Sequence, residues 1–267
     1  MIDEGKHNIL GVRINAVDYD GAIQRVMHAA KAGEPLSVSA LAVHGLMTGA
    51  LDPTHKYRLN RFDLLCPDGQ PVRWALGWLH GKRLPDRVYG PNLMLKLCER
   101  AAQDGTPIFL FGGSEELLGK LSESLLDNFP GLVIAGTRAS LFRTASEAER
   151  QEIIDEVRAS GARITFVGLG CPRQEVFAYE MRDDLGMPLL AVGAAFNFHA
   201  GLLDQAPQWM QDRGLEWFYR FTKEPRRLFH RYMVLNPMYL GMLGLQLTGL
   251  KRPEAEGERP SGRVCYG

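Results

Sequence analysis

The chain has 267 residues, 45% hydrophobic and 23% charged, which suits one large domain or a domain with an appendage and excludes wholesale disorder. Its 31 Lys and Arg balance 31 Asp and Glu, so no overall basic field points to nucleic acid as a partner. Cys66, Cys98, Cys171 and Cys265 form no C-x-x-C pair, which disfavours a zinc ribbon or a disulfide scaffold and fits reduced thiols in a cytosolic protein. No signal peptide is visible at the N-terminus.

Short apolar runs alternate with longer amphipathic ones. Residues 9–14 read as a strand, followed by a helix that Asp18 or Asp20 can cap and that runs to about Lys31. Strands follow at 36–41 and 62–65, the second ending in the turn C-P-D-G-Q-P. A helix at 91–103 leads to a strand at 107–111 stopped by Gly112-Gly113, and Ser114 caps a helix at 114–128. Strands at 132–135, 163–167 and 189–192 enclose helices at 146–159 and 172–183. This alternation predicts an α/β fold with a parallel sheet covered by helices on both faces. Such sheets bind ligands beyond the carboxyl ends of their strands, here the loops after Leu41, Leu65, Phe111, Val167 and Val192.

The tail has a different character. Arg213, Arg220, Lys223, Arg226, Arg227 and Arg231 stand against Glu216 and Glu224, with aromatic residues interleaved. Pro225 breaks the helical pattern and starts a new helix. Residues 233–250 carry no charge, yet the run is just short of the roughly 20 residues a spanning helix needs. A basic patch beside an apolar run suggests an anionic lipid surface or a lipid diphosphate, and for residues 233–250 peripheral membrane contact ranks first, a packed core or oligomer helix second and a true span third. Residues 253–267, polar and rich in Gly and Pro, read as a loose end.

Two turns carry candidate chemistry. C-P-D-G-Q-P puts Asp68 at the mouth of the sheet, where a carboxylate either forms a turn or takes a proton from a substrate hydroxyl. In V-G-L-G-C-P-R-Q-E, Gly168 and Gly170 let the backbone approach a ligand. Pro172 suits the first position of a helix whose N-terminal dipole favours phosphate. The third glycine of a dinucleotide fingerprint would fall at Arg173, so an oxidoreductase is disfavoured, and no P-loop is present. Asp18-Tyr19-Asp20 matches a D-x-D metal-diphosphate pattern, but helix capping is the simpler account. The histidines lack zinc-ligand spacing. Arg227 and Arg231 share a helix face, where planar guanidinium groups can grip phosphates or simply meet solvent.

C-P-D-G-Q-P, D-R-V-Y-G-P-N-L-M, F-L-F-G-G, V-G-L-G-C-P-R-Q-E, V-G-A-A-F-N-F-H-A-G and L-E-W-F-Y-R-F-T-K-E-P-R-R-L-F-H-R-Y occur in that order. The series resembles the WecG/TagA/CpsF family of bacterial glycosyltransferases from about Ile9 to Tyr232. The resemblance implies a Rossmann-like α/β core at 1–212, a C-terminal helical, membrane-proximal appendage at 213–252 that helps to complete the active site, and an inverting hexosyltransferase with a UDP-sugar donor and a polyprenyl-diphosphate-linked acceptor. It would work at the cytoplasmic face of the membrane in cell-surface or exopolysaccharide synthesis. Asp68 would be the base, and Ser39, Gly112, Gly168, Gly170, Gln174 and Asn197 would form the donor site. Arg87, Asn92, Arg220, Arg226, Arg227 and Arg231 would hold diphosphate or acceptor. No metal or other cofactor is expected, and a homo-oligomer is compatible with the sequence. Leu41, Asn92, Asn197 and Gln205 depart from the family's usual residues, which leaves UDP-glucose and UDP-N-acetylmannosamine or its uronate as donors. A non-catalytic membrane scaffold in polysaccharide assembly, or another nucleotide-dependent enzyme, is the alternative.

Overall fold

A computed structural model describes residues 1–267, all but the side chains of Gln208 and Asp212. The chain opens with an antiparallel hairpin of β1 (Asp3–Ile9) and β2 (Val12–Val17). A single strand was expected at 9–14. Leu10 and Gly11, at φ of 53° and 89°, instead turn the chain within that apolar run. Both arms bury Ile9, Val12 and Ile14, so the run lacks the polar break that usually marks a hairpin.

Six strands form the central sheet: β3 (Leu36–Leu41), β4 (Leu64–Pro67), β5 (Ile108–Phe111), β6 (Ile134–Arg138), β7 (Ile164–Val167) and β8 (Pro188–Ala191). All neighbours pair in parallel, in the order β4-β3-β8-β7-β5-β6. Strands β4, β5, β7 and β8 are buried along their whole length because helices cover both faces. One face carries α1 (Tyr19–Ala32), α5 (Gly90–Asp104), α6 (Glu115–Asn128) and the short α9 (Ala195–His199). The other carries α2 (Val43–Leu51), α3 (Pro53–Asn60), α4 (Gln70–His80), α7 (Glu147–Ala159) and α8 (Arg173–Leu185). The parallel α/β sheet expected from the alternation, and the Rossmann-like core implied by the resemblance, is the fold observed.

Local chemistry explains the boundaries. The Asp18 carboxylate accepts from the Gly21 N–H at 2.8 Å and so caps α1. Ser146 and Glu149 close a capping box on α7. Helix α4 begins inside the motif C-P-D-G-Q-P, with Pro71 in its first turn, where the missing N–H costs nothing. Pro172 was expected as the first residue of its helix; it stands one residue earlier, at the cap of α8.

After α10 (Gln208–Asp212) come α11 (Glu216–Lys223), α12 (Pro225–Phe229), a π-helical turn (His230–Leu235) and α13 (Asn236–Leu247). Part of this tail is core: Leu235, Tyr239 and Leu243 join the apolar cluster under α2 and α4, and the Tyr239 hydroxyl donates to Pro71 O at 2.9 Å. Residues 253–267, expected as a loose end, lie along the core. Cys265 is buried, the Ala145 N–H donates to Cys265 O, and the Glu258 N–H donates to Pro53 O. A Cβ on Gly257 would sit 2.3 Å from Pro53 O, so only glycine allows the tail this close to α3.

Candidate functional site

The loops after β3, β4, β5, β7 and β8 open into one cleft of about 670 Å³, and the tail closes its far wall with Arg220, Arg227, His230 and Arg231. It lies at the carboxyl ends of the strands, as the fold requires.

Asp68 leaves β4 at the floor of this cleft. Its N–H donates to Leu41 O at 3.3 Å, which fixes the turn against the neighbouring strand end. Burial pushes its carboxyl up to about 7; Arg87 and Arg231 oppose the shift and Glu216 adds to it. Gly90 lets α5 begin close by, since a Cβ there would lie 3.1 Å from Ala40 Cβ and 3.9 Å from the Asp68 carboxylate.

The Gly-rich loop after β7 rests on a buried carboxylate. Glu175 Oε1 accepts from Ser39 Oγ at 3.0 Å and from Gln174 Nε2 at 2.9 Å. Gln174 Oε1 in turn accepts from the Gly170 N–H at 3.1 Å. Desolvation raises the Glu175 pKa, and its second oxygen has no hydrogen-bond partner among the described residues. Ser39 and Gln174, expected as donor contacts, thus hold the loop up from below, and of the two only Gln174 also lines the cleft. Gly168 and Gly170 line it too; a Cβ on Gly168 would strike the Phe196 ring at 2.4 Å. Gly112 lies outside the lining. At φ 110° it lets two loops pass, since a Cβ would meet Gly168 C at 2.9 Å. Asn197 lines the cleft from α9.

Of the expected diphosphate residues, Arg220, Arg227 and Arg231 face the cleft. Arg231 reaches deepest: burial lowers its pKa, and Tyr232, Arg220, Cys171 and Asp68 are the groups whose fields it feels. Arg220 stacks 5.5 Å from the Phe198 ring centre, and Arg227 pairs with Glu224. Arg226 and Asn92 are exposed outside the lining. Arg87 is engaged elsewhere: its Nη2 donates to Glu216 Oε2 at 2.7 Å while the guanidinium stacks 4.3 Å from the Tyr89 ring centre.

Three site residues escaped the sequence reading as individuals: His44, Tyr89 and Glu175; Glu216 was counted only as a charge of the tail. Tyr89, Glu175 and Glu216 stand inside quoted motifs, where the letters were visible but not their partners. His44, at the start of α2, lines the cleft; burial, helped by Arg231 and His230, lowers its pKa to about 4, so it is a neutral imidazole at pH 7. Among the described residues, one group could hold a metal ion: His55, Cys171 and Glu175, with donor atoms within 4.8 Å of one another. Asp18 of the D-x-D triplet is spent on capping α1 and on the N-terminal amine at 3.6 Å.

A carboxylate lifted into the neutral range, a Gly-rich loop before a helix start and a wall of guanidinium groups share one cleft of an α/β fold, an arrangement whose chemistry suits an anionic ligand. The family model described as glycosyl transferase WecG/TagA/CpsF family matches residues 7–253, and the chain belongs to that family. It is a glycosyltransferase, and the resemblance read from the six motifs holds over nearly the whole chain.

Proposed function

We propose that the protein is an inverting, metal-independent glycosyltransferase that moves a hexose from a UDP-sugar to a polyprenyl-diphosphate-linked saccharide. The donor is UDP-glucose or UDP-N-acetylmannosamine or its uronate. The setting is cell-surface or exopolysaccharide synthesis at the inner face of the cytoplasmic membrane. One observation carries this reading: Asp68 and the guanidinium groups of Arg220, Arg227 and Arg231 line the same cleft.

The chemistry follows from that pairing. The Asp68 carboxylate takes the proton of the acceptor hydroxyl as its oxygen bonds to the anomeric carbon from the face opposite the leaving group. The bond to the diphosphate oxygen breaks, UDP leaves with the electron pair, and the anomeric configuration inverts. A base with a pKa of about 7 suits that transfer at neutral pH, being both deprotonated often enough and basic enough. Negative charge grows on the diphosphate, where Arg231, Arg220 and the N-terminus of α8 meet it as preorganised cations and dipoles. The tail shields the cleft from water, which competes with the acceptor.

Peripheral membrane contact has its own support. No helix among the described residues is long and apolar enough to cross a membrane. Phe218, Phe229 and Leu240 are 50%, 57% and 61% exposed on α11, α12 and α13, and α11 and α12 also carry Lys223, Arg226 and Arg227. A panel of UDP-sugars offered with a polyprenyl-diphosphate-sugar acceptor and read by mass spectrometry tests the reading. One sugar should appear on the lipid; release of nucleotide with no lipid product from any donor contradicts it.

A further inference from the structure

Helix α11 inverts the usual order of burial. Trp217 and Phe218 are exposed, while its one buried residue is a carboxylate, Glu216, 9% exposed. Each oxygen of that carboxylate has its own donor: Arg87 Nη2 at 2.7 Å on Oε2 and the Tyr89 hydroxyl at 2.8 Å on Oε1. Both donors come from the segment that runs past Asp68, where the Val88 N–H donates to Pro67 O at 2.9 Å. Arg87 thus feels the fields of two carboxylates, Asp68 and Glu216, and its side-chain hydrogen bond goes to Glu216.

We infer that Glu216 is a positioning residue: by holding Arg87 and Tyr89 together it fastens the trailing helices over the cleft and keeps the Arg87 guanidinium from pairing with Asp68. The inference rests on the reading of Asp68 as base. It assigns Arg87 to the latch rather than to a phosphate. A buried ion pair of this kind is a weak source of net stability but a strong source of geometry, because neither partner tolerates loss of the other. The groups that face Asp68 are Arg87 and Tyr89 from the segment before α5, Tyr19 from α1, Arg231 from the π-helical turn and Glu216 from α11. Glu216 supplies the negative charge among them. Without it, the field of Asp68 on the Arg87 guanidinium remains, while the Asp86 carboxylate is held by the Arg87 backbone N–H at 2.7 Å.

The test uses the full chain and needs no substrate. The Asp68 carboxyl is titrated by isotope-edited NMR of labelled aspartates and assigned with Asp68→Asn, while amide hydrogen exchange is followed across residues 216–229. In Glu216→Gln, which keeps the shape and one acceptor, the Asp68 midpoint should fall by roughly one pH unit or more as Arg87 turns to it. In Glu216→Ala, exchange across 216–229 should also quicken by about tenfold or more as the latch opens. Tyr89→Phe, which leaves the charges in place, should quicken exchange while holding the Asp68 midpoint. A wild-type midpoint in Glu216→Gln, or wild-type exchange in Glu216→Ala, overturns the inference. Full sugar transfer by Asp68→Asn would instead overturn the reading of the base, whatever the Glu216 variants do.

Discussion

Asp68 is a carboxylate whose environment disfavours its working charge. Its folded pKa of about 7 lies above the ordinary 3.8, so the fold favours the protonated form. The linkage has a definite sign: the carboxyl contributes stability below pH 4, and that contribution is lost as pH rises through about 7. Asp68→Asn should therefore melt above the wild type at pH 8 and close to it at pH 4, with a gain of a few kcal/mol at most, on the order set by the shift. Calorimetry of both proteins at the two pH values checks this; a less stable variant at pH 8 would contradict it. The same carboxyl should give kcat/KM an acidic limb, rising with pH to a midpoint near 7. Asp68 was legible because a strand-end D-G turn confines it to the carboxyl edge. The partners of Arg87 and Ser39 were not legible because they are remote: Glu216 lies 129 residues on from Arg87, and Glu175 lies 136 on from Ser39. A side chain whose neighbour comes from another element shows no periodicity that would announce it.

At the scale of elements, strand β3 and the caps of α1, α6 and α7 were legible because each is written in local chemistry. The helices α2, α3 and α4 were not. Helix α2 follows Ala42, whose side chain cannot cap it, α3 is short and polar, and α4 hides its start inside a turn motif. The apolar run at 233–250, for which membrane contact ranked first and a packed core helix second, divides between core and surface. Leu235, Tyr239 and Leu243 point into the core, while Met238, Leu240 and Leu245 point out. Tyr239→Ala should cost about 3–5 kcal/mol by urea denaturation, the scale for emptying a buried aromatic site. Tyr239→Phe, which leaves Pro71 O without its hydroxyl donor, should cost about 1 kcal/mol. Equal stability of the alanine variant and the wild type would mean that α13 is not part of the core. For the same reason, cutting the chain at Arg213 cannot isolate the role of the tail: it would remove core side chains together with the guanidinium wall.

The molecule as a whole is electrically neutral, yet its tail gathers Arg220, Lys223, Arg226, Arg227 and Arg231 beside exposed Phe229, Met233 and Leu240. That asymmetry suits a protein that leans on an anionic surface with the end that also closes its cleft. Binding to vesicles of anionic lipid should weaken as salt rises, through screening of the basic side chains. Phe229→Asp with Leu240→Asp should lower the bound fraction by about tenfold or more, since each fully buried apolar side chain is worth about 1.5–3 kcal/mol. Cosedimentation measures both effects; undiminished binding by the double variant would place the lipid contact elsewhere. Sequence alone conveyed the parallel sheet and the basic tail, because periodicity and charge are local properties. It could not convey that residues 253–267 return to the core, because Gly257 and Cys265 are held there by α3 and by the segment before α7, far off in the chain.

The most direct measurement compares wild type and Asp68→Asn in transfer of a labelled sugar from its UDP donor to a polyprenyl-diphosphate acceptor, with donor affinity determined in parallel. The variant should bind the donor nearly as the wild type does and transfer at least roughly a hundredfold more slowly, the scale for loss of a general base. Transfer by Asp68→Asn at the wild-type rate would contradict the assignment of that carboxylate and the mechanism built on it.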